Sequence, residues 1–372
     1  MDKQSKGERY HRQTILEELG EQGQQKLLSA KVLVIGAGGL GCPVLQYLAA
    51  AGVGTIGIVD QDVVALSNLH RQVLYITSDI GLLKAERAAT KLQQMNPDIR
   101  VNPYELRLDN KNALDILKAY DIVVDASDNF PTRYLVNDAC CLLQKPLVHG
   151  AVSQFEGQVA VFNAVGEGGK RTANYRDLFP VPPKEGEVAS CAEAGVIGVL
   201  PGIIGSLQAA EVIKLITGIG QPLVNRLQTF NFKTSDWLTL SFQPLLETAA
   251  TQPANPLAFI NTVYDWTCTS GNVAEINAAT FQSLLAEEGI TVIDVREIGE
   301  QPLLNEIEHL QIPLSQLMDH LDTITGSTIV AVCQTGKRSR QAATILANAF
   351  HSKKIYSLQG GIAAYLLSLQ NK

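Results

Sequence analysis

Cysteine is scarce in this chain, with six in 372 residues. So sparse a set makes no disulfide framework, and a reducing cytoplasm is the expected compartment. An excess of positive charge is missing too. Lys and Arg number 30 against 37 Asp and Glu, a formal net charge of −7. That balance excludes a broad basic surface for nucleic acid and leaves only local clusters for phosphates. No apolar run follows Met1-Asp2-Lys3-Gln4-Ser5-Lys6, so no signal peptide is expected. The most apolar stretch, Ala194 to Leu207, is too short for a membrane span and contains Gly195, Gly198, Pro201, Gly202 and Gly205. It reads as a turn entering a buried helix, and no membrane association is expected. There is neither a tandem repeat nor a low-complexity tract.

Apolar material is plentiful. Hydrophobic residues make up 46% and charged ones 18%, which supports buried cores and excludes a disordered chain. At roughly 150 residues per domain, the length predicts two domains or three. Strand and helix signals alternate in the first half: strands at Lys31–Ile35, Thr55–Asp60 and Ile122–Asp125, helices at Leu40–Ala51, Lys84–Met95 and Arg133–Leu143. This alternation predicts a mostly parallel sheet with helices on both faces, that is, an α/β, Rossmann-like domain. Extended segments at Gly157–Phe162 and Arg226–Ser241, with a helix at Pro201–Thr217 between them, continue the sheet with mixed strand directions. The polar, proline-containing stretch Glu247 to Pro256 marks a linker. Beyond it strands at Thr291–Asp294, Thr328–Val332 and Lys354–Leu358 predict a second, smaller α/β domain. The expected boundaries are 1–246, a linker at 247–271, and 272–372.

Gly36-Ala37-Gly38-Gly39-Leu40-Gly41 matches Gly-x-Gly-x-x-Gly between a predicted strand and a predicted helix. Absent Cβ atoms let the backbone approach a phosphate, and the helix N-terminus adds N–H donors. Asp60 ends the next strand, at the distance suited to a ribose hydroxyl. This much also fits a nicotinamide-dependent dehydrogenase. The residues that follow do not: Ser67-Asn68-Leu69-His70-Arg71-Gln72 after the second strand, Lys84 opening a helix, and Asp125-Ala126-Ser127-Asp128-Asn129 ending a later strand. Ends of parallel strands face the ligand crevice. Arg71 and Lys84 suit the charge on a triphosphate and Asp128 a hard cation, a set that hydride transfer does not need.

Together with Arg9-Tyr10-His11-Arg12-Gln13 and Cys191-Ala192-Glu193-Ala194-Gly195, these motifs resemble the ubiquitin-activating-like adenylyltransferases of the MoeB/ThiF family, over roughly residues 8 to 243. The resemblance implies ATP binding and adenylation of the C-terminal glycine of a small ubiquitin-like sulfur carrier ending in Gly-Gly. It places the nucleotide at Gly36, Gly38, Gly39, Gly41 and Asp60, with phosphate contacts from Ser67, Asn68, Arg71 and Lys84, and Mg²⁺ at Asp128 beside Asn129. It also implies that Arg12 reaches the partner subunit's site in a homodimer. Adenylation needs positioning and charge neutralisation rather than a side-chain nucleophile.

Cys42, Cys140 and Cys141 read as small buried hydrophobes. Cys191, in a polar loop, occupies the position that in related activating enzymes accepts the carrier as a thioester or acyl persulfide, and the residues leave both catalytic and structural use open. Many relatives carry two Cys-x-x-Cys pairs for structural zinc. This chain reads Asn174-Tyr175-Arg176-Asp177 in place of the first and has no second pair near Leu245 to Pro256, so no structural zinc is expected.

Cys333 ends a buried strand and opens the loop Cys333-Gln334-Thr335-Gly336-Lys337-Arg338-Ser339 ahead of a helix. Loop N–H groups, a helix N-terminus and the nearby Lys337 and Arg338 predict a depressed thiol pKa and a cradle for a persulfide anion. With Asp294-Val295-Arg296-Glu297 and Leu358-Gln359-Gly360-Gly361, the loop resembles a rhodanese domain over about residues 272 to 370. The segment from Glu297 to Pro313 is shorter than usual and lacks the family's glycine-rich His-Ile turn. A Cys-x5-Arg phosphatase loop is the rival, but the arginine here falls one position short. An inactive structural module is the other alternative.

The joint reading is an adenylyltransferase fused to a persulfide-carrying sulfurtransferase that makes a carrier thiocarboxylate for molybdopterin, thiamine or thiolated-tRNA synthesis. Its sulfur would come from a persulfide donor such as a cysteine desulfurase. Fusion raises the effective concentration of persulfide near the adenylate. A nucleotide-binding scaffold with a regulatory or inactive rhodanese module is the alternative from another class.

Overall fold

The computed structural model describes residues 3–182, 195–264, 274–286, 289–304, 307–350 and 353–370. Cys191 and Cys268 lie outside these residues. The chain divides into two compact units, Met1–Tyr264 and Asp265–Lys372.

The first unit is built on an eight-stranded sheet. Its strands are β1 (Lys31–Ile35), β2 (Thr55–Val59), β3 (Arg100–Tyr104), β4 (Ile122–Asp125), β5 (Leu147–Ser153), β6 (Glu156–Phe162), β7 (Arg226–Asn231) and β8 (Asp236–Ser241). They lie in the order β3-β2-β1-β4-β5-β6-β7-β8. Strands β3 to β5 in this order are parallel, and β5 through β8 pair antiparallel. The apolar runs of β1, β2 and β4 are those of strands buried on both faces. Strand β3 was not anticipated because Pro103 interrupts its pattern. Its edge position removes the objection, since an outward-facing proline nitrogen breaks no ladder bond.

In register, Ile35 of β1 lies beside Val59 of β2 and Asp125 of β4. The order of strands reverses at β1, so a crevice opens between the carboxyl ends of β1 and β4. The helix Phe130–Leu143 begins three residues earlier than its apolar pattern suggests. Asn129 caps it by accepting from Thr132 N–H at 2.9 Å, and Pro131 sits in its first turn.

The helix Val199–Thr217 is long and apolar enough, by length and composition alone, to cross a membrane. Here it is a core helix, packed on β5, β6 and the helix Gly41–Ala51. Its polar side chains are used internally: Gln208 Nε2 donates to Asp125 O at 2.7 Å, and Glu211 Oε2 accepts from Leu223 N–H at 2.7 Å.

The stretch read as a linker is structured where it is described. Thr248 donates its hydroxyl to Asp177, and Asn110 Nδ2 donates to the carbonyls of Ile260 and Thr262. Tyr264 donates to Asp138 at 2.8 Å. Asp177 also accepts from Leu245 N–H and from Asn174, so one carboxylate joins the two stretches that lack the cysteine pairs. Asp138 completes that corner with a bidentate bond to Arg176 at 2.7 and 2.8 Å. Among the described residues no group of three or more His, Cys, Asp or Glu could hold a metal.

The second unit is a five-stranded, all-parallel sheet. Its strands β9 (Ala274–Ile276), β10 (Ile290–Asp294), β11 (Leu310–Gln311), β12 (Thr328–Val332) and β13 (Lys354–Leu358) run in the order β11-β10-β12-β13-β9. Successive residues serve opposite faces. Ile293, Ile329 and Ala331 pack with the helix Lys337–Ala349, whereas Val292, Val330 and Val332 pack with Phe281 and Ile362.

Candidate nucleotide cavity and sulfur-carrying loop

A cavity of about 350 Å³ lies at the β1/β4 crevice. Of the residues expected to bind nucleotide, Gly36, Gly38, Gly39, Asp60, Arg71, Lys84, Asp128 and Asn129 line it. Gly41, Ser67, Asn68 and Arg12 do not. Gly41 is structural: a Cβ there would sit 2.0 Å from Gly36 O. Gly36 itself has φ +95°, and its Cβ would meet Ala126 O at 2.7 Å. The glycines therefore fold the loop on itself and against the end of β4, as well as leaving its outer surface bare. Asn68 uses its side-chain oxygen to accept from Ala65 N–H at 3.1 Å, closing the turn Leu66–Asn68. Arg12 is exposed near the end of the helix Lys3–Thr14, next to Gln13, which is anchored to Gln24 and Ala51 O.

The electrostatics of the cavity are organised by pairs. Lys84 is buried, and its Nζ lies 2.9 Å from Asp62 Oδ2. Asp60 accepts from Ala37 N–H and Asp62 N–H, both at 2.8 Å. Burial raises the Asp60 pKa, and the charge of Lys84 and those two bonds only partly offset it. Asp60 thus ties the glycine loop to the strand beyond. Tyr75 does the same from below, donating to Ala37 O at 2.9 Å and Lys84 O at 3.2 Å. Arg71 folds back on its own turn, donating to Ser67 O at 3.0 Å. Asp128 stands exposed at the rim.

Asp62, Arg107 and Arg133 also line the cavity, and the sequence pointed to none of them. Arg133 is 7% exposed, stacks on the Phe130 ring at 4.9 Å and leaves its Nε without a hydrogen-bond partner. The available signal was its position one turn after Asp128-Asn129, once Asn129 is taken as the helix cap. Together Arg71, Lys84, Arg107 and Arg133 line the cavity with Asp60, Asp62 and Asp128. Four cations with three carboxylates suit a polyanion accompanied by a hard cation. Asp60 and Asp62 are already engaged, which leaves the exposed Asp128 as the oxygen donor that fits Mg²⁺. One or two carboxylates plus substrate phosphates suffice for that ion.

Behind the wall, Asp125 Oδ1 accepts from Ser127 N–H at 3.0 Å and from its hydroxyl at 2.6 Å. His149 Nδ1 lies 3.0 Å from Asp125 Oδ2. Burial pushes the imidazole pKa down, and Asp125 stays ionised opposite it. This pair fixes the turn that carries Asp128.

In the second unit, Cys333 is buried at the end of β12. Burial raises its pKa, but the Ser339 hydroxyl and the N–H groups of Ser339, Thr335 and Gly336 outweigh it, and the net shift is downward. The Sγ–Oγ distance to Ser339 is 3.5 Å, and Ser339 in turn lies 3.0 Å from Ser357 Oγ. The depression and its loop N–H donors match the expectation, and the Ser339 hydroxyl adds to them. Arg338 directs its guanidinium at Glu300, with contacts of 2.6 and 2.7 Å. Lys337 is exposed.

Residues 10–248 match the ThiF family, and residues 277–368 the rhodanese-like domain. The chain is 58% identical over 238 residues to a sulfur carrier protein adenylyltransferase of Thermus thermophilus, covering 64% of this chain and 86% of that one. It is 42% identical over 377 residues to the probable adenylyltransferase/sulfurtransferase MoeZ of Mycobacterium tuberculosis, covering 97% and 93%. To the adenylyltransferase and sulfurtransferase MOCS3 of Drosophila grimshawi it is 38% identical over 379 residues, covering 96% and 83%. A solved structure of E. coli MccB with ATP is 24% identical, with a TM-score of 0.54 over 64% of this chain and 72% of that one, a likeness of fold alone.

Proposed function

The chain belongs to the ThiF family and carries a C-terminal rhodanese-like domain, and from that premise we propose that it adenylates the C-terminal glycine of a small ubiquitin-like sulfur carrier and converts the adenylate to a thiocarboxylate with sulfur held on Cys333. The observation that carries the first half is the convergence of Arg71, Lys84, Arg107, Arg133 and Asp128 on one cavity against the glycine loop. The second half rests on a thiol whose pKa is lowered by a loop of N–H donors.

In this reading the glycine loop receives the nucleotide and Asp60 its ribose. Mg²⁺ at Asp128 would neutralise phosphate charge as pyrophosphate leaves. Lys84, held by Asp62, and Arg71 neutralise the charge that builds on the phosphates, and Arg133 adds its positive charge to the wall of the same cavity. Arg12, exposed and outside its own cavity, would complete the partner's site in a homodimer. The carrier serves molybdopterin, thiamine or thiolated-tRNA synthesis, and a cysteine desulfurase supplies the persulfide. A cytoplasmic setting suits the free thiols Cys42, Cys140, Cys141 and Cys333. Domain limits of 1–246 and 272–372 about a connecting segment belong to the same reading.

The test is ATP–pyrophosphate exchange with and without a small carrier ending in Gly-Gly. Exchange that depends on the carrier is expected. Its absence with several such carriers would overturn the assignment.

A further inference from the structure

The Cys333 loop is surrounded by arginines, and three of them are already occupied. Arg296, 2% exposed, holds Asp294 at 2.7 Å and reaches Gln334 Oε1 at 3.2 Å. Arg340 holds Glu275 at 2.6 Å. Arg338, within the loop itself, is gripped by both oxygens of Glu300. Glu300 is in turn oriented by Glu297 N–H, at 2.8 Å from its Oε1. It comes from the short segment after Glu297, which shows no apolar periodicity and to which sequence analysis assigned no role.

What remains for an incoming anion is the exposed ammonium of Lys337, a point charge with no bidentate fork, and the set of N–H donors that faces Cys333. That set matches one negative charge, the thiolate or the persulfide that replaces it. A donor bringing two charges needs a guanidinium as well, since bidentate Arg contacts are the strong form of oxyanion recognition. Arg338 lies near enough to Cys333 to feel its charge.

We propose that Glu300 is a donor-selecting residue. By filling the guanidinium fork of Arg338, it withholds from the Cys333 loop the cation that a doubly charged sulfur donor needs, and so favours singly charged alkyl persulfides. The inference rests on the reading that Cys333 carries sulfur. With a persulfide, the Cys333 thiolate attacks the outer sulfur of R–S–S⁻. The S–S bond breaks, its electron pair leaves on the alkyl thiolate, and with one proton taken up as RSH the cysteine becomes Cys333–S–S⁻. With thiosulfate the same attack expels sulfite, which carries away the electron pair and both of its charges. Only the second leaving group asks for Arg338.

Glu300 stays ionised across the working range, because its bonds from Arg338 and Glu297 N–H hold its carboxyl down at about 2. Both partners are about one-third exposed, 35% and 32%, so the pair is a surface clamp that one substitution opens.

The experiment is single-turnover sulfur loading of Cys333 in the full chain, followed by mass, with thiosulfate and with cysteine persulfide as donors. For Glu300→Gln the ratio of thiosulfate to persulfide loading efficiency should rise about tenfold, through a lower half-saturating thiosulfate concentration. The double variant Glu300→Gln/Arg338→Gln should lose that gain. A ratio that moves less than twofold in Glu300→Gln, or a gain that survives in the double variant, overturns the selector while leaving sulfur carriage standing. Failure of the unsubstituted chain and of Glu300→Gln to load from either donor overturns the sulfur-carrying reading, and the selector with it.

Discussion

Cys42 and Cys333 each sit at a junction where a parallel strand turns through a glycine-bearing loop into a helix, Cys42 after the loop and Cys333 before it, and their thiols are pushed in opposite directions. Cys42 sits in the first turn of Gly41–Ala51, where burial drives its pKa up to about 12 and its Sγ donates to Ala37 O at 3.6 Å. Cys333 is just as buried, but three N–H groups point at its sulfur, and the Ser339 hydroxyl lies 3.5 Å away, positioned to stabilise the thiolate. The difference lies in which side of the loop the sulfur occupies. At Gly36–Gly41 the outer surface is bare and lines the cavity, while the thiol is buried behind it against Ala37 O. At Cys333–Ser339 the thiol occupies the place where an anion would otherwise go. One strand–loop–helix device thus serves an anion that arrives in the first unit and an anion that the chain carries in the second.

The comparison breaks most sharply if each loop's chemistry is removed in turn. Asp128→Ala should lower carrier-dependent pyrophosphate exchange by about 10²–10³ and leave sulfur loading of Cys333 in place. Cys333→Ser should abolish loading, by more than about 10³, and leave exchange. Loss of both activities in either variant would contradict separate anion sites. A smaller effect sharpens the account of the first loop. Gly41→Ala places a methyl 2.0 Å from Gly36 O, so the first unit should lose about 3 kcal/mol or more in urea unfolding. A loss under about 1 kcal/mol would mean that the loop does not depend on that contact.

Much of this was legible from residues alone. Continuous apolar strands such as Val32–Ile35 and Ile329–Val332 have few alternatives, and glycines between strand and helix have fewer. What escaped was set by tertiary context. Pro103 hid an edge strand whose position makes proline harmless. The polar stretch 247–256 marks the start of the linker expected at 247–271, yet Thr248 and Tyr264 find carboxylate partners in Asp177 and Asp138, far away in the sequence. Asn68 and Asn129, expected as ligand contacts, also use their side-chain oxygens locally, Asn68 closing a turn and Asn129 capping a helix, and Asn129 lines the cavity. The apolar pattern starts its helix at Arg133, whereas the Asn129 cap starts it at Phe130 and places Arg133 one turn in. Glu300 lies in a segment with no periodicity at all, and only the fold brings it to Arg338. Short polar contacts between distant residues leave no periodic trace, whereas burial does.

The most direct measurement is alkylation of the unsubstituted chain by iodoacetamide as a function of pH, read cysteine by cysteine by mass. The account predicts that Cys333 reacts with a midpoint below the ordinary thiol value of 9.0, while Cys42 and Cys141, with pKa values near 12, stay unmodified at pH 9. Cys42 reacting at the pH and rate of Cys333 would contradict it.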